Sequence, residues 1–266
     1  MKVITFAIQK GGTGKTSMSV STAVELTKFG RTLIIDADPQ GNATNWLGIE
    51  QVQKELSDIL SNPEATADDV DSAIQKTQTE NLSIIPTASQ SSGLGNFQKY
   101  GATDDPYSVK RFLREIKDEF DFCVIDTSPA FLGLETACFL ASDEIVSVLK
   151  IDTFSFEGMQ TFYGSLNRMA RRYDIELPVI KKMLKKWILN GGDKRLSLQR
   201  DYEKYYEQLA RNSNALSYTV PVDQAFPKAQ AMKIPVQSLD STKKETLEAL
   251  HRLASDLAEK SEKDGE

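Results

Sequence analysis

The stretch Val3-Ile4-Thr5-Phe6-Ala7-Ile8-Gln9-Lys10-Gly11-Gly12-Thr13-Gly14-Lys15-Thr16-Ser17 decides how the rest of the chain is read. An apolar run, a glycine-rich turn and a helix-like segment follow one another, which is the strand–loop–helix order of a phosphate-binding loop. The glycines let consecutive N–H groups turn inward, and the first turn of the following helix adds its positive dipole end, so a polyphosphate can sit there. In that pattern Lys15 supplies the cation for the β- and γ-phosphates, and Thr16 supplies a hydroxyl for magnesium. The strict form G-x-x-x-x-G-K-[ST] is not met, because Gln9 stands where it asks for glycine. What stands here is x-K-G-G-x-G-K-[ST], with a second lysine at position 10. A dinucleotide fingerprint reads the same glycines less well: Gly12-Thr13-Gly14 would need glycine at 17, where the chain has Ser17.

Further along, Leu33-Ile34-Ile35-Asp36-Ala37-Asp38 and Phe122-Cys123-Val124-Ile125-Asp126 are apolar runs that end in aspartate. Such a run is a buried strand delivering a carboxylate to its C-terminal edge, where open α/β sheets bind ligands. Asp126 therefore reads as a magnesium-shell carboxylate. Asp36 and Asp38 lie two apart, so in an extended strand their side chains share a face and both approach the phosphate loop.

The 266 residues carry 40% hydrophobic content, enough for one large α/β domain, 1–266, with no second domain required. Strands are expected near Lys2 to Gln9, Thr32 to Asp36, Leu82 to Pro86, Phe122 to Asp126, Glu144 to Ile151 and Lys186 to Asn190. Helical patterns run over Thr16 to Phe29, Ser108 to Glu119, Glu157 to Arg172, Ser197 to Arg211 and Thr242 to Lys260. Their alternation predicts an α/β fold: a mostly parallel, doubly wound sheet covered by helices on both faces. Asn62 to Asp71 and Ser89 to Asp105, rich in turn formers, read as surface insertions. No apolar run is long enough to span a membrane or serve as a leader. Cys123 and Cys138 lack metal-site spacing and read as reduced core residues of a cytoplasmic protein. His251, the only histidine, lies away from every motif.

These motifs together resemble the ParA/MinD family of P-loop ATPases, which share the deviant loop and its signature lysine. Asp36-Ala37-Asp38-Pro39-Gln40-Gly41-Asn42 is similar to the D-x-D-P-Q-G-N run of the partitioning branch, and Asp126-Thr127-Ser128-Pro129 to the family's Walker B turn. The resemblance implies ATP and Mg2+ as cofactors, with Gly11, Gly12, Thr13, Gly14, Lys15, Thr16 and Ser17 around the phosphates and Thr16, Asp36 and Asp126 toward the metal. It implies that Asp38 orients the attacking water and that Lys10 reaches the partner's phosphates in an ATP-bound homodimer. At the base end it implies Asn190, and Pro221 and Asp223 in the loop Tyr218 to Asp223. An extra segment, Leu177 to Lys185, precedes Asn190, and the D-P-x-S/C-x-G-A motif is missing after Ser238.

The chain starts almost on its first strand, which is expected to leave no room for an N-terminal helix-turn-helix domain. Its tail, Ala258 to Glu266, is mixed in charge, unlike the basic amphipathic helix that MinD-like members insert into membranes, so no membrane partner is expected. Net charge is −6, yet Lys181, Lys182, Lys185, Lys186, Lys194, Arg195 and Arg200 face a single acid, Asp193, with Arg168, Arg171 and Arg172 just upstream. Clustered cations of this kind either form a solvated face or neutralise DNA phosphates without reading bases. The resemblance implies nonspecific DNA, a nucleoid location in the ATP state and a ParB-type centromere-binding partner. A cargo-positioning switch of MinD type that does not act on DNA is the alternative.

Overall fold

The computed structural model describes residues 1–101, 104–152, 155–193 and 195–259. Its strands are β1 (Lys2–Ala7), β2 (Thr32–Ala37), β3 (Gln75–Lys76), β4 (Leu82–Ile85), β5 (Phe122–Thr127), β6 (Glu144–Lys150), β7 (Lys186–Gly192) and β8 (Leu216–Pro221). They form one eight-stranded sheet in the order β3-β4-β2-β5-β1-β6-β7-β8, parallel except for the β3–β4 pair. The helices are α1 (Lys15–Leu26), α2 (Asn42–Trp46), α3 (Leu56–Leu60), α4 (Ala67–Asp71), α5 (Ser92–Asn96), α6 (Ser108–Glu115), α7 (Gly133–Ala141), α8 (Ser155–Arg172), α9 (Leu177–Met183), α10 (Ser197–Asn212), α11 (Ala225–Met232) and α12 (Lys244–Ala258). A π-helical turn, Phe97–Gly101, follows α5.

The strands are apolar at nearly every position because both faces are covered. Along β2 and β5, Ile34 and Val124 point to a core formed with Met18, Val20 and Leu26 of α1 and Leu250, Leu253 and Leu257 of α12. Their neighbours Leu33, Ile35, Cys123 and Ile125 point the other way, against Phe112, Leu113 and Leu134. Toward β7 that second face continues as Leu149, Trp187 and Leu189 under Phe162, Leu166 and Tyr206. Both cysteines are buried and free, and burial pushes their thiols well above the ordinary range.

The doubly wound parallel sheet agrees with the sequence reading, and several local expectations change. Tyr218 to Pro221, expected within the loop Tyr218 to Asp223, belong to the edge strand β8; it donates and accepts along β7 only, and from Ser217 on its residues alternate between partly exposed and buried. Helix α7 is not among the expected helices, and Leu177 to Lys185 contains the short helix α9 that feeds β7. The two expected insertions hold helical turns, α4 in the first, α5 and the π-turn in the second. Among the described residues no helix is long and apolar enough to cross a membrane. Residues 260–266, the end of the expected tail, lie outside the described ones.

Candidate nucleotide site

Order reverses at β1: β5 lies on one side of it and β6 on the other, so the loop leaving β1 opens into the crevice at the carboxyl edge. Gly12 and Gly14 both adopt positive φ, 69° and 91°, a region L side chains rarely enter. A Cβ at Gly14 would also displace the Asn190 side chain, whose Nδ2 lies over that position. Asn190, near the end of β7, donates to Thr13 O at 2.7 Å and so ties the far strand to the loop.

The two lysines of the loop are in different surroundings. Lys15 is buried (7% exposed) and donates to Lys10 O at 3.2 Å. Burial lowers its ammonium from the ordinary value, while the carboxylates of Asp126, Asp38 and Glu135 act in the opposite direction. Lys10 turns away: its Nζ donates to both oxygens of Asp152, at 2.7 and 2.8 Å, and to Ser155 Oγ at 3.2 Å. The pattern that marks Asp152 in the sequence is the one that marks Asp36 and Asp126, an apolar strand ending in aspartate, yet the sequence reading passes over it.

Asp36 and Asp126 face each other in the β2–β5 register. Burial, then the neighbouring Asp126, push the Asp36 carboxyl up to about 8 against the pull of bonds from Thr44 N (2.8 Å), Thr44 Oγ1 (2.7 Å) and Asp38 N (3.4 Å). Asp126 is raised to about 6, again chiefly by burial, with the Thr16 and Ser19 hydroxyls close enough to offset part of this. Those approaches fall short of proper hydrogen-bond geometry: among the described residues neither Asp126 oxygen has a hydrogen-bond partner. Asp38 begins the turn after β2, where its Oδ1 accepts from Gln40 N at 3.0 Å, so the pair Asp36/Asp38 is not two steps along one strand face.

An unpartnered, fully buried carboxylate beside a threonine hydroxyl is what a magnesium ion with phosphate ligands requires, since that ion takes only one or two protein groups and keeps waters. Among the described residues there is no cluster of three metal-ligating side chains to hold a metal alone. The donor set therefore fits Mg2+ that arrives with a nucleotide.

A cavity of about 490 Å³ lies beside the ends of β7 and β8, with Gly192, Thr219, Pro221 and Val222 together with Arg195 and Lys243 along it. Asp223 is occupied otherwise. Its Oδ1 accepts from Ala225 N (2.9 Å), and its Oδ2 from Lys243 N (2.9 Å) and Thr246 Oγ1 (2.8 Å), so it caps the starts of α11 and α12.

The cations between Lys181 and Arg200 do not form one face. Lys181, Lys182, Lys185 and Lys186 sit before or at the start of β7, and Arg195 and Arg200 past its end, so a strand of roughly 20 Å separates the groups. Lys186 pairs with Glu144, which also binds Lys2 at 2.6 Å. Arg195 grips Asp193 at 2.6 Å, and that bond holds the Asp193 carboxyl down at about 2. Lys194 lies outside the described residues. Because α8 returns to the start of α9 and β7, its last turn brings Arg171 and Arg172 to the same end as Lys181, Lys182 and Lys185.

The profile of a family described as AAA domain matches residues 1–179. The virulence plasmid ParA family protein pGP5-D of Chlamydia psittaci is 34% identical over 181 residues, 66% of this chain and 67% of that protein. The sporulation initiation inhibitor protein Soj of Bacillus subtilis (strain 168) is 33% identical over 181 residues, 67% of this chain and 70% of its own length. The chain belongs to the ParA/MinD family. It is an ATPase of that family. The septum site-determining protein MinD of Pyrococcus horikoshii, solved with Mg-ADP, shares the fold at a TM-score of 0.72 and 20% identity, over 96% of this chain and 95% of the other.

Proposed function

We propose that this ATPase is a partitioning switch of ParA type, which dimerises on ATP, binds DNA without sequence preference and is released when a ParB-type centromere-binding partner stimulates hydrolysis. The observation that carries the reading is the division of labour between the loop lysines, Lys15 buried and under the influence of Asp126 and Asp38, and Lys10 bound instead to Asp152 and Ser155 after β6. A cation that lies outside its own phosphate pocket is the group to offer to a second subunit.

In this reading the backbone N–H groups of Gly11 to Ser17 and the start of α1 hold the phosphates, and Lys15 neutralises them. Thr16, Asp126 and Asp36 hold the magnesium ion, directly or through its waters. When bound, that ion would neutralise the negative charge that develops on phosphoryl transfer. Asp38, at the turn after β2, orients the attacking water. Asn190 and Pro221 border the base. Lys10 leaves Asp152 and Ser155 when two subunits close, and reaches the partner's phosphates; a cation supplied in trans is worth about 10³ to 10⁵ in rate. A lone subunit is then slow, and dimerisation and the partner set the timing.

DNA contact in this reading falls to the two cationic groups flanking β7. Two subunits on one duplex add their weak phosphate contacts, which is how a chain of net charge −6 binds DNA only in the ATP state. The deciding experiment is a filter or gel assay of DNA binding with and without ATP, on several unrelated sequences, with lipid vesicles in parallel. ATP-dependent binding to every duplex supports the reading. Binding to vesicles and not to DNA would transfer the chain to a MinD-like positioning role.

A further inference from the structure

The turn leaving β5, Ser128-Pro129-Ala130-Phe131-Leu132, is held by a buried polar cluster that none of the roles above uses. Glu135, in the first turn of α7, is wholly buried (0% exposed). Its Oε2 accepts from Leu132 N at 3.0 Å, which closes the start of α7. Its Oε1 accepts from Ser128 Oγ at 2.6 Å and from Gln98 Nε2 at 2.5 Å. Gln98 Nε2 also lies 3.0 Å from Ser128 Oγ, and Ser128 Oγ accepts from Ala130 N at 3.1 Å.

Capping α7 requires only the bond to Leu132. The second oxygen does something capping does not explain: it joins Ser128, two residues after Asp126, to Gln98, on the π-helical turn Phe97–Gly101. π-Helical turns are rare and concentrate at functional sites. This one carries Tyr100 on the surface at 72% exposure while burying Gln98. The charge of Glu135 also acts on Lys15 of the phosphate loop, and the cluster adjoins the turn behind Asp126. A carboxylate buried without a paired cation persists only if its oxygens are satisfied, and here they are satisfied by the turn after β5 and by Gln98 of the π-helical turn.

We propose that Glu135 is a positioning residue for hydrolysis, which through Ser128 and Gln98 locks the turn behind Asp126 and ties the π-helical segment to the phosphate site. The inference rests on the ATPase reading of that site. Its consequence is directional: loosening the cluster leaves nucleotide binding to the loop and α1, but lets Asp126 and the residues after it drift from the geometry the transition state needs. A misplaced supporting group costs turnover more than affinity.

The test uses the full chain with Mg-ATP, measuring steady-state turnover and, separately, nucleotide affinity by calorimetry and melting temperature. Gln98→Leu is expected to lower kcat about tenfold, the loss of one hydrogen bond to a buried charge, with the ATP Kd within about twofold of the parent. Ser128→Ala is expected to act in the same direction, and the double variant to be no slower than the slower single one, because the groups act as a unit. Parent-like kcat in both single variants overturns the proposal. So does a parallel fall of kcat, affinity and melting temperature, which would make the cluster a support of the fold alone. Should Gln98→Leu not fold, Ser128→Ala decides by the same two readouts. The parent's own turnover reports on the ATPase reading, so its failure shows in the parent and the failure of this inference only in the variants.

Discussion

The lysine at position 15 and the lysine at position 10 differ by where the loop turns them, and substitutions should separate their effects. Lys15→Ala removes the cation buried among Asp126, Asp38 and Glu135, and ATP affinity measured by calorimetry should fall at least about tenfold, roughly 1.4 kcal/mol. Lys10→Ala should leave monomer binding near the parent value and abolish the ATP-dependent dimer in sedimentation; a normal dimer would remove the trans role. The buried aspartates make a pH prediction. Asp36, at about 8, and Asp126, at about 6, both lie above the ordinary 3.8, so the folded state without nucleotide binds protons that the unfolded chain has already released. Their stabilising contribution is complete below about pH 4 and is lost as pH rises through about 6 and then 8. Urea midpoints of the nucleotide-free protein should therefore decline across that window, and Asp36→Asn should flatten the decline; an unchanged slope would show that Asp36 is not the group titrating.

At the scale of elements, the loop after β8 is built by capping as much as by contact. Asp223 satisfies N–H groups at the starts of α11 and α12, and it does so with both oxygens, one helix each. Asp223→Ala should destabilise the fold by about 1 to 3 kcal/mol in denaturant titration, the loss of two caps. If the midpoint stays and ATP affinity falls instead, the carboxylate serves the nucleotide and the capping bonds are incidental. The same element logic explains why Tyr218 to Pro221 reads as a loop. Only alternate residues, Tyr218 and Val220, are buried, its strand has one neighbour only, and an edge strand with a terminal proline resembles a turn in sequence. Helix α7 escapes a reading of the sequence because its first turn is written in Gly133, Leu134 and Glu135 without an Asn, Asp, Ser or Thr cap, Leu132 preceding it in extended backbone.

For the whole molecule, the separation of cations along β7 sharpens the DNA test. Replacing Lys181, Lys182 and Lys185 by Ala, and in a second protein Arg195 and Arg200, should tell which group meets the duplex. In a salt titration of ATP-dependent binding, substituting the group that meets the duplex should lower affinity for all sequences alike and flatten the log–log slope by roughly 0.9 for each phosphate no longer neutralised. ATPase activity without DNA should stay near the parent value in both. If neither protein changes, both groups are solvated faces and DNA is met elsewhere or not at all.

Some of this was legible in the residues alone. The phosphate loop, the two strands ending in Asp36 and Asp126, and the alternation of strand and helix are local patterns, because a glycine turn and an apolar run carry their conformational meaning within a few residues. Sequence order also predicted the parallel sheet, since each βα unit must cover the strand it leaves. Tertiary structure alone decided the rest. That Lys10 rests on Asp152, that Asn190 fills the space over Gly14, that Gln98 meets Glu135, and that Lys185 and Arg195 are held apart are all facts about pairs distant in the chain or set at opposite ends of one strand. Composition and spacing carry no term for such pairs: they arise only when the strand order brings one carboxyl edge together and sends the ends of β7 to opposite sides of the sheet.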